Sequence, residues 1–224
     1  MESIRLKARA KINLGLDVLG KRDNGYHDVR MVMQTVGIYD RLIINKIPED
    51  DIRIDINLKF LPVNENNLIY KAYKLMKDEY GFSGGIEVDL NKFIPIAAGM
   101  AGGSTDAASA MFAINKLFNL GLSNRELMEQ GVKIGADVPY CIMRGTALAE
   151  RMGNVLEDVT IPLYPVIDKI KKDMISQGAY NAMMSGSGPT VFGIFPDEQT
   201  ALNCKEYLKR QGDARQVYIT ETFN

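Results

Sequence analysis

The sequence predicts an α+β protein built as two lobes, and three observations carry that prediction. Its first half is rich in strand-like segments whose β-branched residues alternate or cluster. From residue 66 onward, helical and strand-like segments take turns. No internal repeat or low-complexity tract interrupts them.

Taken in order, SIRLKARAKINLGLDVLG, VRMVMQTVGIY, RLIINKI and DIRIDINL read as strands, with turn signals at Asp23, Asn24 and Gly25 and again from Pro48 to Asp51. Asn66 and Asn67 then cap a helix, LIYKAYKLMKDEY, in which Leu68, Ala72 and Leu75 fall at helical spacing. GGIEVDLNKFI is a strand, and a glycine-rich loop follows it. AASAMFAINKLFNLG is a helix with Ala108, Phe112, Leu117 and Leu120 on one side, ended by Gly121. Ser123 with Glu126 three residues later forms a capping-box pattern for NRELMEQGVKIG. The loop GADVP leads into a strand, YCIMRGTALAE. Past that come a helix around YPVIDKIKKDMISQG, a small-residue loop SGSGP, a strand TVFGIF, a helix EQTALNCKEYLKRQ and a last strand QVYITETF. We place the lobes at 1–150 and 151–224.

Composition narrows the chemistry. A chain of 224 residues, 46% hydrophobic, can bury a substantial core. With 27 basic against 28 acidic residues there is no global field to hold a polyanion, so nucleic acid is not expected and any phosphate must be bound locally. There is no run of about eighteen apolar residues and no signal-peptide core in MESIRLKARAKINLG, which predicts a cytoplasmic protein without a membrane segment. Cys141 and Cys204 make neither a disulfide framework nor a metal cluster, and a single histidine, His27, rules out a histidine-rich metal site.

The segment from Pro95 to Ser109, PIAAGMAGGSTDAAS, is where chemistry is expected. A glycine loop running from a strand into a helix leaves N–H groups at Ala101, Gly102, Gly103 and Ser104 unpaired and backed by the positive helix end, a nest suited to a di- or triphosphate. The pattern is neither G-x-x-x-x-G-K-[ST] nor G-x-G-x-x-G. A tight structural turn accounts for the same glycines, and both readings stay open on physical grounds. Ser104 and Thr105 can cap the helix, reach Mg²⁺, or do both.

PIAAGMAGGSTDAA resembles the phosphate loop of the GHMP kinases, a superfamily of small-metabolite kinases. AKINLGLDVLGKRDNGYHDVRMVMQTVGIYD, GADVPYCIMRGTALAE and MSGSGPTVFGIF resemble, in the same order, motifs of the branch that phosphorylates a hydroxyl of a diphosphocytidyl sugar alcohol on the non-mevalonate route to isoprenoid precursors. The resemblance spans nearly the whole chain. It implies an N-terminal lobe like a ribosomal-protein S5 fold, a ferredoxin-like C-terminal lobe, ATP with Mg²⁺, a small-molecule acceptor, and a monomer or homodimer. It also implies that Lys11 and Asp137 face each other beside the acceptor hydroxyl, with Asp137 receiving or orienting its proton and Lys11 keeping Asp137 ionised. Asn13 falls near the substrate, and Tyr26 and His27 recognise the cytosine. The ATP side is assigned to Pro95, Gly99, Met100, Ala101, Gly102, Gly103, Ser104 and Thr105, with Lys92 and Asn66 toward the adenosine. Ser185, Gly186, Ser187 and Gly188 form a supporting loop that lets the second lobe approach.

The chain departs from the pattern at one place. After Glu150, relatives continue through further strands and a substrate-facing segment, whereas here Arg151 follows at once, so a block of several dozen residues is expected to be missing and the second lobe to be incomplete. That block carries the aromatic partner on the other side of the cytosine. Three other readings therefore stand beside the main one: another kinase of the superfamily, a folded form impaired in substrate binding, and an RNA-binding relative, which the near-neutral charge opposes.

Overall fold

The computed structural model describes residues 2–21, 27–153, 162–186 and 188–223, with the backbone alone at 16–21, 27–29 and 149–153. Two long antiparallel strands, β1 (Ser3–Lys21) and β2 (His27–Ile47), run side by side from the pair Ser3–Asn45 to the pair Lys21–His27. VRMVMQTVGIY and RLIINKI, expected as two strands, are thus one. On its other edge β2 pairs with β5 (Thr146–Gly153) along its first part and with β4 (Gly85–Asn91) along its last. The short β3 (Ile52–Ile56) lies parallel to β4 and closes the order β1-β2-β4-β3.

The register of β1 against β2 slips in a way that decides where the polar residues point. Between the pairs Arg9–Tyr39 and Lys11–Thr35 there is one residue on β1 but three on β2, so β2 bulges at Val36, Gly37 and Ile38. Before the slip Ala8 lies in the main core, opposite the buried Asp40. After it the core residue is Met33, partner of Asn13, while Ala10 and Ile12 turn to a second cluster with Val36, Ile94 and Met100. Across the slip the β1 residue beside the main core changes from Ala8 to Asn13, and Lys11 and Asn13 lie buried.

The bulge also recruits the chain's end. Glu221 O accepts from Gly37 N at 3.0 Å, Phe223 N donates to Thr35 O at 2.9 Å, and Arg9 lies 3.5 Å over the Phe223 ring. The expected last strand QVYITETF is therefore a tail with a single bridge, Val36 to Thr222. A ladder needs a partner along its whole length, and β2 frees only three residues.

Helices cover the sheet. α1 (Leu68–Tyr80) is capped by Asn67, whose side chain accepts from Ile69 N at 2.8 Å, and buries Ile69, Ala72, Tyr73 and Met76. The stripe is thus rotated from the expected one, and only Ala72 is shared. α2 (Gly102–Leu117) starts inside the glycine loop and is buried almost all round; it ends at Phe118 rather than at Gly121. α3 (Asn124–Gly131) carries the expected capping box of Ser123 and Glu126. α4 (Val138–Met143) replaces the first part of the strand expected in YCIMRGTALAE, which begins only at Thr146. Pro139 in its first turn fits a helix start.

The second lobe comprises α5 (Val166–Ser176), the antiparallel pair β6 (Asn181–Met184) and β7 (Val191–Ile194), and α6 (Glu198–Gln211), capped by Asp197. Its own core holds Ile170, Met174, Ala182, Cys204 and Leu208. Phe192 of β7 packs on the cluster around Ala10, Ile12 and Met100, so the second lobe rests on the glycine loop. Among the described residues no helix is long and apolar enough to cross a membrane.

Candidate active site

The glycine loop is held from below by charge. Asp40, fully buried on β2, accepts from the backbone of Phe93 and of Ile94 through Oδ1 and from Lys92 Nζ through Oδ2 at 2.5 Å. Lys92 Nζ also reaches Asp106 Oδ2, on the second turn of α2, at 2.6 Å. Burial works against the Lys92 ammonium, and the two carboxylates outweigh it, so its pKa is held above the usual lysine value. Burial, reinforced by the Asp40 charge, pushes Asp106 well above the usual carboxylate range. The triad pins both ends of the loop, since Lys92 to Ile94 lead in and Asp106 leads out.

Within the loop the backbone alternates in hand. Ala97, Gly99 and Ala101 have φ of 53°, 73° and 57°, and Ala98 and Met100 between them do not take positive values. Such alternation turns successive N–H groups toward one side and forms an anion-binding concavity. Two alanines held left-handed cost on the order of 1 kcal/mol or more each, strain of the kind found where function needs the geometry. Ala101 occupies the α2 N-cap position without a side-chain cap, leaving the first N–H groups of the helix available to a ligand.

The glycines answer to packing as well. A Cβ on Gly99 would stand 2.0 Å from Ser185 O, and Ser185 Oγ donates to Gly99 O at 3.1 Å. Gly99 is therefore required by the approach of the second lobe. At Gly102 a Cβ would press on Lys92 Nζ at 3.1 Å, and at Gly103 on Leu68 at 3.3 Å.

On one side of the loop a cleft of about 360 Å³ runs from the nest toward an apolar wall that includes Ile56, Leu61, Pro62 and Leu68. Pro95, Asn66 and Lys92 line it, although the Lys92 ammonium is taken up by its two carboxylates, and it is Asn67 rather than Asn66 that caps α1.

On the other side sits a buried polar group. The bulge leaves Lys11 N to donate to Met100 O at 3.2 Å, which ties β1 to the loop. The Lys11 side chain, 3% exposed, donates to Asn13 Oδ1 at 3.2 Å and stands 3.8 Å from Asp137 Oδ2. Asp137 precedes α4 and is 21% exposed at its side chain, so it looks onto solvent while Lys11 backs it. Asn13 Nδ2 is buried with no partner among the described residues and faces the Gly186 turn. A buried donor left open costs about 1–3 kcal/mol, which a ligand oxygen on this side of the loop would relieve. Ser104 Oγ comes within 4.0 Å of where a Gly135 Cβ would be, so the start of α2 touches the loop that bears Asp137. Thr105 is buried, near Cys141, whose thiol is pushed up to about 12 by burial and by the Asp137 charge.

The fold thus gathers Lys11, Asn13, Asp137, Gly99 to Ser104, Ser185 and Gly186 around one centre. Gly188 N closes its own turn by donating to Ser185 O at 3.0 Å. His27 opens β2, its backbone paired with Lys21 and Gly153; its side chain, and all of Tyr26 and Ser187, lie outside the described residues. Sequence reasoning missed Asp40 and Asp106. The signal for the second was a lone charged residue among the small, uncharged residues that start α2.

Comparison with known proteins agrees with this geometry. The family described as GHMP kinases N terminal domain matches residues 67–145, and GHMP kinases C terminal matches residues 142–214. A crystal structure of 4-(cytidine 5'-diphospho)-2C-methyl-D-erythritol kinase shares the fold at a TM-score of 0.81 and 24% identity, covering 92% of this chain and 96% of that one. Homoserine kinase from Cytophaga hutchinsonii shares it at a TM-score of 0.77 and 16% identity, over 100% and 94%. Among curated proteins, 4-diphosphocytidyl-2-C-methyl-D-erythritol kinase of Lachnospira eligens is 59% identical over 100% of this chain and 99% of its own length, and that of Lachnoclostridium phytofermentans 42% identical over 100% and 98%. The chain belongs to the GHMP kinases, and within them to the family of these two relatives. It is a kinase. The alignment with the Lachnospira eligens protein runs over 286 positions while this chain has 224 residues, so at least 62 of those positions have no residue here.

Proposed function

We propose that the protein transfers the terminal phosphoryl group of ATP to a hydroxyl of 4-diphosphocytidyl-2-C-methyl-D-erythritol, a step toward isoprenoid precursors. The observation that carries this reading is the hydrogen bond from Lys11 N to Met100 O. It fastens a phosphate-type nest, with a nucleotide-sized cleft behind it, to a lysine–aspartate pair in front.

Donor phosphates lie against the N–H groups of Gly102, Gly103 and Ser104, the base toward Leu61 and Leu68. The acceptor hydroxyl enters beside Asp137, which orients it and receives its proton late, as a loose transition state allows. Lys11 stands 3.8 Å behind Asp137 and faces the charge of the transferring group. Asn13 Nδ2 gives its open hydrogen bond to a ligand oxygen. Among the described residues no three acidic, histidine or cysteine side chains gather as a metal cage. A Mg²⁺ ion would be carried with the nucleotide's phosphates and offset their charge, with Ser104 and the buried Thr105 the hydroxyls at hand. Tyr26 and His27 remain the residues proposed for the cytosine, with the lobe boundary at 150/151.

The missing positions favour one second reading: a form that binds ATP normally and its acceptor weakly. Turnover with Mg·ATP and the cytidyl substrate, against homoserine and mevalonate, tests the main proposal; no turnover of the cytidyl substrate by a chain that carries the full block would end it. Thermal shifts with ATP and with the cytidyl substrate separately would reveal the second.

A further inference from the structure

Lys11 and Asp137 come from elements that meet at a third place, Thr35. Thr35 is the cross-strand partner of Lys11 on β2. Its hydroxyl lies 3.0 Å from the phenol of Tyr140, and Tyr140 stands one helical turn after Asp137 on α4. The direction of each bond follows from counting protons. The phenol has one proton and donates it to Gly145 O, 2.7 Å away, a carbonyl that can only accept. The Thr35 hydroxyl must then donate to the phenol oxygen. Gly145 O also accepts from Thr35 N at 3.0 Å. Three bonds close a ring from β2 through the C-terminal end of α4 and back, and Thr35 and Tyr140 are both buried.

A helix of six residues has little orientation of its own. α4 is seated on α2 and α3 through buried Val138 and Cys141, and the hydroxyl ring adds its tie to β2, the strand that pairs with Lys11, so the ring sets how Asp137 stands relative to Lys11. We infer that the Thr35–Tyr140 hydroxyl pair is a positioning device that fixes the Lys11–Asp137 separation, acting through Asp137 and not on the substrate. The inference rests on the reading of Asp137 as the residue that handles the acceptor hydroxyl.

Tyr140→Phe and Thr35→Val keep the shape of each side chain and remove the bond. Each should lower kcat about ten- to a hundredfold, the scale of a small misplacement of a catalytic group. KM for ATP should stay within about twofold, and the unfolding temperature should stay above that of the assay. Thr35→Ser, which keeps the hydroxyl, should recover most of the rate. The deciding experiment is a cycle with Asp137→Asn. If Tyr140 acts through Asp137, Tyr140→Phe costs nothing further in that background. The same loss in both backgrounds, or an unchanged kcat for Tyr140→Phe or for Thr35→Val, would overturn the inference. Full kcat in Asp137→Asn alone would instead remove the reading beneath it.

Discussion

Two buried lysines flank the glycine loop, and they are built for different ends. Lys92 lies beneath it, 7% exposed, its ammonium held by Asp40 and Asp106 at hydrogen-bond distance. Lys11 lies beside it, 3% exposed, hydrogen-bonded to Asn13 and standing off at 3.8 Å from an aspartate that is partly open to solvent. A buried cation with two carboxylates in contact is a structural joint: removing one partner leaves bare charge in the core. A cation that stops 3.8 Å from its carboxylate leaves both able to meet a hydroxyl placed beside them. On the proposed function, the difference separates what holds the loop from what works at its mouth.

Exchanging each lysine for methionine breaks the comparison most directly. Lys11→Met should reduce kcat by roughly 10²–10⁴-fold, the usual weight of a group that supports proton transfer, with the unfolding temperature unchanged or raised because a buried charge is gone. Lys92→Met should do the reverse first, lowering stability by about 3–5 kcal/mol in chemical denaturation. The pH dependence follows from the raised pKa of Lys92. Its contribution is fully present below the ordinary 10.5 and is lost as pH rises through the higher folded value, so the wild-type unfolding temperature has an alkaline decline that Lys92→Met lacks.

Smaller effects sharpen the picture of the loop itself. Gly99→Ala would place a methyl on Ser185 O and force a left-handed alanine, and should cost about 1–3 kcal/mol in denaturation while weakening ATP-induced thermal stabilisation. Cys141, with its thiol pushed up to about 12 and 6% exposed, should resist alkylation in the native protein at pH 8 and react once unfolded, as read by intact mass.

Much of this was legible before the fold was seen. The cap at Asn67, the box of Ser123 and Glu126 and the helix from Glu198 rest on local hydrogen bonds that residue types announce. The loop and the Lys11–Asp137 pair were legible only through resemblance, since strand alternation by itself makes Lys11 an outward residue. What escaped depends on long-range register. The two extra residues of β2 lie beside the buried Lys11 and free the edge that the tail occupies, and their one local sign is Gly37, where a Cβ would meet Thr220 Oγ1 at 2.8 Å. YCIM reads as the start of a strand because so short an apolar run carries no period of its own; Pro139 just before it was the signal for a helix. The Asp40–Lys92–Asp106 joint brings together residues 52 and 14 positions apart, and only the fold shows that they meet.

On the proposed function the loop holds the donor while Lys11 and Asp137 manage the acceptor. The most direct test is Asp137→Asn, assayed with Mg·ATP and the cytidyl substrate alongside ATP affinity measured by titration calorimetry. The account predicts that kcat falls by about 10²–10⁴-fold and that ATP affinity stays within about twofold. A variant that turns over at the wild-type rate, or one that loses ATP binding together with activity, would contradict it.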